Sequence, residues 1–189
     1  MSEIDHHIRK DDALLVVDVQ KDFCPGGALP VAAANAVLPR INALIDEAQR
    51  AGALIVASRD WHPPNHLSFS QQGGPWPRHC VQHGNGAAFV VEMRLPLDTL
   101  IVSKGNRKDS DQYSAFDRTG LADDLRRGGI ERVWVCGLAL DYCVKATALD
   151  SVAAGFTTIV VTSATAPVTG VGGETALKEL ALAGVHIMN

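Results

Sequence analysis

Short apolar runs alternate along the chain with stretches whose apolar residues recur at helical spacing. "ALLVVDV" is valine-rich and bounded by charge, which predicts a strand buried on both faces. "ANAVLPRINALIDEAQRAG" sets Val37, Ile41, Leu44, Ile45 and Ala48 on one helical face and stops at Gly52. "ALIVASRD" and "TLIVSKG" read as the next strands, and "GLADDLRRGG" as a helix closed by glycine. "RVWVCGL" is a strand and "LDYCVKATALDSVAAG" a helix. "TTIVVTSA", "GETALKELALAG" and "VHIM" complete the series as strand, helix and short strand. Strands alternating with helices predict an α/β protein with a parallel sheet covered on both faces.

One segment breaks the rhythm. Residues 60–89, "DWHPPNHLSFSQQGGPWPRHCVQHGNGAAF", hold four prolines and four histidines without a period. A loop of that length inside a compact domain is functional or disordered, and its tryptophans and histidines favour function. The rest of the composition narrows the classes. The 189 residues are 47% hydrophobic, enough for one buried core, and are read as a single domain. The net charge is -4 and no basic run is present, which argues against nucleic acid. The start, "MSEIDHHIRKDD", is charged and lacks the apolar stretch of a signal peptide, and no apolar run is long enough to span a bilayer. Cys24, Cys80, Cys136 and Cys143 form no CxxC pair and read as reduced thiols of a cytoplasmic protein.

Ligands of open α/β sheets bind beyond the carboxyl ends of the strands. Asp18, Asp60, Lys104 and Cys143 fall at the ends of the first four predicted strands, so all four are expected on one edge. Each has a plainer reading: a solvated acid, a surface lysine, a cysteine acting as a small hydrophobe. Together they make a reactive set. Cys143 opens a helix, where free N–H groups and the dipole favour a thiolate, and a nearby lysine adds to this. A thiolate attacks a carbonyl, Asp18 moves the proton, and Lys104 holds the acid. Backbone N–H groups of "CGLALDYC" can receive an oxyanion. In the long loop, Asp60, His62 and His79 offer two imidazoles and a carboxylate, a common three-ligand metal set. His66 and His83 are also available, and the alternative is that these histidines only tie the loop to itself. His6 and His7 read as a solvated terminus and His186 as part of the last strand. Phe23, Trp61, Phe69, Trp76, Tyr113 and Phe116 either pack the core or wall a flat ring.

The pieces "VVDVQKDFCPGGAL", "SRDWHPPNHLSF", "GGPWPRHCVQ", "VSKG", "YSAF" and "GLALDYCVKATALDS" resemble, in order and over almost the whole chain, the nicotinamidases of the isochorismatase-like cysteine hydrolases. The resemblance implies a three-layer sandwich around a mainly parallel six-stranded sheet, one domain over 1–189 with a metal-binding loop at about 60–89. It implies that Asp18, Lys104 and Cys143 form a catalytic triad and that Asp60, His62 and His79 bind one divalent ion, zinc first, with iron or manganese as alternatives. His66 matches a histidine near the metal, read as a supporting residue or occasional ligand. Phe23, Trp76, Tyr113 and Leu138 match residues that line the substrate pocket. Leu138 and Ala139 match a non-proline cis peptide, with the amides of Ala139 and Cys143 as oxyanion hole.

The implied activity is hydrolysis of nicotinamide to nicotinate and ammonia through a thioester, with pyrazinamide also accepted, in NAD salvage. The implied partner is the small-molecule substrate, with no nucleic acid and no membrane, and a homo-oligomer is left open. Two features depart from the pattern. Leu140 stands where the family often has threonine, and residues 105–116 are long and polar, which leaves fine substrate preference open. Two alternatives stand beside this reading. One is another amidase of the superfamily, acting on a carbamoyl or ureido group. The other is a non-catalytic metal-binding or thiol redox-sensing protein.

Overall fold

The computed structural model describes residues 6–189, so the leader reading of residues 1–5 lies outside the described residues. Six strands form one sheet: β1 (Asp12–Val17), β2 (Leu54–Asp60), β3 (Leu100–Lys104), β4 (Arg132–Leu138), β5 (Thr157–Ala166) and β6 (His186–Met188). Their order is β3-β2-β1-β4-β5-β6, and every neighbouring pair is parallel. The helices are α1 (Ala34–Ala51), α2 (Leu121–Arg127), α3 (Lys145–Ala153) and α4 (Gly170–Leu182).

The alternation of side chains along β1 divides the core in two. Leu14 and Val16 join α1 residues such as Ile41, Leu44 and Ile45 on one face. Ala13, Leu15 and Val17 join Leu121 and Leu125 of α2, Ala148 of α3 and Leu180 of α4 on the other. The three layers follow from this: α1 and the long loop, the sheet, then α2, α3 and α4. Every residue of β1 is buried, as its continuous apolar run requires.

The elements follow the sequence pattern with three local differences. β1 ends two residues before the apolar run does, because Asp18 turns into the left-handed region (φ 49°) and lifts the chain off the sheet. The helix expected from "LDYC" begins as a π-turn over Leu140–Val144, in which the Ala139 carbonyl accepts from the amides of Tyr142 (3.0 Å) and Val144 (3.1 Å). α4 starts three residues earlier than its apolar spacing suggests. Thr169 caps it, its hydroxyl accepting from Gly172 N at 3.0 Å. Gly173 packs so closely on Pro167 that a Cβ there would stand 2.9 Å from its ring. Gly172 and Gly173, which hide this start from a propensity reading, are needed for close packing on Asp141 and Pro167.

At the amino ends of the central strands lies a buried polar knot. Asp12 accepts from Arg132 Nε (2.7 Å) and Nη2 (2.6 Å), from Trp134 Nε1 (2.9 Å) and from Arg9 N (2.8 Å). Removing one member of a buried ion pair leaves the other without its counter-charge, at a cost of roughly 3–5 kcal/mol. Asp12→Ala is therefore expected to lower the unfolding free energy, read from denaturant titration, by that much and to leave turnover per folded molecule unchanged. A shift below about 1 kcal/mol, the range of an exposed pair, would show that the knot adds little. No helix among the described residues is long and apolar enough to cross a membrane.

Candidate active site

β1 lies between β2 on one side and β4 on the other, and the chain runs outward from it in both directions. The carboxyl ends of β1 and β4 thus flank the switch point where open parallel sheets leave a crevice. Asp18 follows β1, Asp60 ends β2, Lys104 ends β3, and Cys143 lies in the π-turn beyond β4. All four are buried at this edge.

Lys104 is the centre of the group and is fully enclosed. Its Nζ stands 2.7 Å from Asp18 Oδ2, 2.5 Å from Asp60 Oδ1 and 3.4 Å from Cys143 Sγ. Burial opposes the ammonium, but the two carboxylates outweigh it and hold Lys104 well above the ordinary lysine range. Burial raises Asp18 against the pull of Lys104. Ser58 Oγ donates to Asp18 Oδ1 at 2.7 Å, while Oδ2 has the ion pair and no hydrogen bond of ordinary geometry. Asp60 differs. Burial would raise it, but the Lys104 charge and His62 together hold it below the ordinary carboxylate range.

Burial acts against one expectation at the thiol. A helix start and a lysine predict a thiolate, yet burial pushes Cys143 well above the ordinary thiol range and Lys104 only partly offsets this. The anions Asp18 and Asp60 add to the rise. The thiol has a proton acceptor beside it, since Asp18, Asp60 and Cys143 offer ligand atoms within 4.8 Å of one another. That set could suggest a cation site, but the Lys104 ammonium already fills its charge-neutralising role.

The long loop folds back against this group. His62 pairs with Val81 in a short parallel bridge, and Phe69 with Trp76 in another. Asp60, His62 and His79 present ligand atoms within 4.8 Å of one another. Each imidazole is oriented through its other nitrogen: His62 Nδ1 bonds the Gly105 carbonyl (2.9 Å) and His79 Nδ1 the Pro77 carbonyl (2.7 Å). Both Nε2 atoms consequently face Asp60 Oδ2, at 3.5 and 3.9 Å. Backbone carbonyls fixing the tautomer of ligating histidines are the usual support of a metal site, so the residues fit a divalent ion. Burial lowers His79, while Asp60 overcomes burial to raise His62. His66 stacks on His62 with ring centroids 4.2 Å apart, but Ser68 Oγ (2.7 Å) and the Ser110 carbonyl (3.1 Å) engage both its nitrogens. His83 packs edge-on against Trp61, away from the set.

Phe23, Trp76, Tyr113, Leu138, Ala139 and Cys143 line one pocket together with Asp60 and His79. The Leu138–Ala139 peptide is cis. Trp76 Nε1 donates to Tyr113 Oη at 3.0 Å. Tyr142 meets Trp76 edge-on (5.3 Å) and lies near Tyr113 (6.1 Å), completing an aromatic wall. Of the other candidate aromatics, Phe69 is buried against His62, Phe116 packs on Phe156, and Trp61 stacks beneath Arg59. Sequence reasoning missed Tyr142, Ser58 and Gln20. Tyr142 lies inside the cysteine motif and was legible as an aromatic there. Ser58 and Gln20 face the site only because the strands pair in this register.

Residues 12–189 match the isochorismatase domain. The nicotinamidase of Escherichia coli K12 is 40% identical over 171 residues, 79% of this chain and 80% of that one. The pyrazinamidase of Pyrococcus horikoshii in complex with zinc superposes with a TM-score of 0.92 at 48% identity, over 95% of this chain and 99% of that one. PnC1 from L. infantum in complex with nicotinate superposes with a TM-score of 0.93 at 38% identity, over 98% of this chain and 96% of that one. A match of this extent, on a fold whose strand ends converge on one thiol, shows that the chain belongs to the isochorismatase family, with nicotinamidases among its relatives.

Proposed function

We propose that the protein is a nicotinamidase, an amide hydrolase that converts nicotinamide to nicotinate and ammonia, and that residues 1–189 form one catalytic domain. The observation that carries the reading is the enclosed Lys104 ammonium touching Asp18, Asp60 and Cys143 at once. Asp18 takes the proton from Cys143, and the sulfur forms a bond to the carboxamide carbon. The carbonyl oxygen gains charge and is received by the amides of Ala139 and Cys143. The same carboxyl of Asp18 then protonates the leaving nitrogen, ammonia departs, and a thioester remains. Asp18 next accepts a proton from water, whose oxygen attacks the thioester. Nicotinate leaves and the thiol is restored. Throughout, Lys104 keeps its proton and holds Asp18 in place.

Asp60, His62 and His79 would hold the metal, and zinc is the ion assigned, on the donor set and on the zinc complex of the P. horikoshii relative. A bound divalent ion supplies a Lewis-acid site for the pyridine nitrogen and so orients the ring. Phe23 and Trp76 wall the ring, and Tyr113 and Leu138 close the pocket around it. Buried free thiols suit a reducing compartment, and the cytoplasm is the location assigned. The two alternatives left open by the sequence, a carbamoyl amidase and a non-catalytic sensor, are not favoured beside these relatives.

An ammonia-release assay tests the reading. Nicotinamide and pyrazinamide both carry a ring nitrogen and should be turned over well. Benzamide has the same carboxamide without that nitrogen and should be turned over very poorly, because orientation supplies much of the rate. Chelation should depress the first two most. Equal rates for benzamide and nicotinamide, or full activity after metal removal, would refute the orienting role.

A further inference from the structure

Asp60 belongs to two sets at once. Its Oδ1 meets Lys104, and its Oδ2 faces the two histidine Nε2 atoms. A small rotation of this one residue would disturb both. On the β3 side its strand position is held by main chain, where Asp60 pairs with Lys104 and Trp61 N donates to the Lys104 carbonyl at 2.9 Å. On the β1 side no strand remains. The β1–β2 register ends at Val17 and Ser58, and the left-handed turn at Asp18 carries β1 away.

The side chain of Gln20 fills that gap. Its Oε1 accepts from Asp60 N at 2.8 Å, and its Nε2 donates to Asp60 O at 2.8 Å. The amide thus satisfies the Asp60 N–H and C=O that face the side β1 has left. The second Nε2 proton goes to the Ala87 carbonyl at 2.9 Å, at the far end of the histidine loop. Gln20 main chain bridges Phe89 in the same stretch. The side chain is fully enclosed, and its acceptor and both donors are used.

We propose that Gln20 is the positioning residue of Asp60, setting the angle at which one carboxylate serves both Lys104 and the metal. A glutamine that merely filled the core would spread its bonds without regard to the site. Here two of three fall on the peptide of the single residue shared by both sets. The inference rests on the metal reading given above.

The test uses the full chain, stripped by a chelator and titrated with zinc. Gln20→Met is nearly isosteric and removes all three bonds. Gln20→Glu keeps the acceptor for Asp60 N and turns the donor into an oxygen facing two carbonyls. Both should bind zinc about 10- to 100-fold more weakly than wild type, the range for loss of an outer-shell partner. Both should also show a lower kcat at saturating zinc. Ser151→Ala is the control. It removes a buried bond to Thr158 Oγ1 (2.8 Å) under the α3 face and should cost stability with no change in zinc affinity. Zinc affinity at the wild-type value in both Gln20 variants, or an equal loss in Ser151→Ala, would overturn the positioning role while the metal reading stood. Failure of wild type to bind zinc would overturn both. A readout on wild type covers the case in which the variants do not fold. The Gln20 side-chain amide resonances, assigned through their contact with Asp60 N, should move when zinc is added, and unmoved resonances would refute the proposal.

Discussion

Cys143→Ala protein is expected to release no measurable ammonia from nicotinamide while keeping its fold and its metal content. The side chain is small and enclosed, and Lys104 and the carboxylates stand beside it. Alanine takes the place of the thiol without introducing an unpaired polar group. The loss should be on the order of 10⁶ in kcat, the scale seen when a nucleophile that acts as part of a unit is removed. Circular dichroism and metal analysis establish that the variant is intact, and the ammonia assay reads the effect. Turnover within tenfold of wild type would remove Cys143 from the mechanism. The other thiols provide the contrast. Burial raises Cys24 and Cys80 and pushes Cys136 up to about 12, and although Cys80 feels the charges of Asp60, Asp18 and Lys104, the sulfur that Lys104 Nζ bonds is that of Cys143. Their replacement by alanine or serine should leave the chemical step intact.

Asp18→Asn is expected to cost about 10² or more in kcat, with little change in KM. Asparagine keeps an oxygen for the Ser58 hydroxyl but can neither take the thiol proton nor return it to the leaving nitrogen. The pH profile separates this from a structural effect. As the proposed base Asp18 must be ionised, and burial places its protonation above the ordinary carboxylate range. Wild-type kcat/KM should therefore rise with pH through that raised value and fall away below it. The variant has no such group, and its acid limb should flatten. Near-normal turnover of Asp18→Asn at neutral pH would reduce Asp18 to a partner of Lys104.

The order and type of the elements were legible in the sequence because the strands are short apolar runs and the helical segments between them end at glycines, with a clear helical stripe in α1. The parallel direction followed from their alternation. The convergence of Asp18, Lys104 and Cys143 was legible for the same reason, since a parallel sheet sends every strand end to one edge. Three things were hidden. The turn at Asp18 depends on the chain leaving the sheet early, which no propensity marks. The upward push on Cys143 comes from total burial, and sequence spacing reports only the lysine and the helix start that act against it. Gln20 and Ser58 read as ordinary polar residues, because their partners lie some 40 positions away and meet them only through strand register.

The Asp12–Arg132–Trp134 knot and the Lys104 cluster occupy opposite ends of the same central strands. The molecule therefore has one pole that governs only how much protein is present and another that governs what each copy does while its buried charges also bear on stability. Random inactivating substitutions should sort accordingly. Those near the knot lower the amount of folded chain and respond to cooler growth or to a stabilising ligand. Those near Lys104 remove the chemistry itself, and those that leave one of its buried charges without a partner lower the amount of folded chain as well.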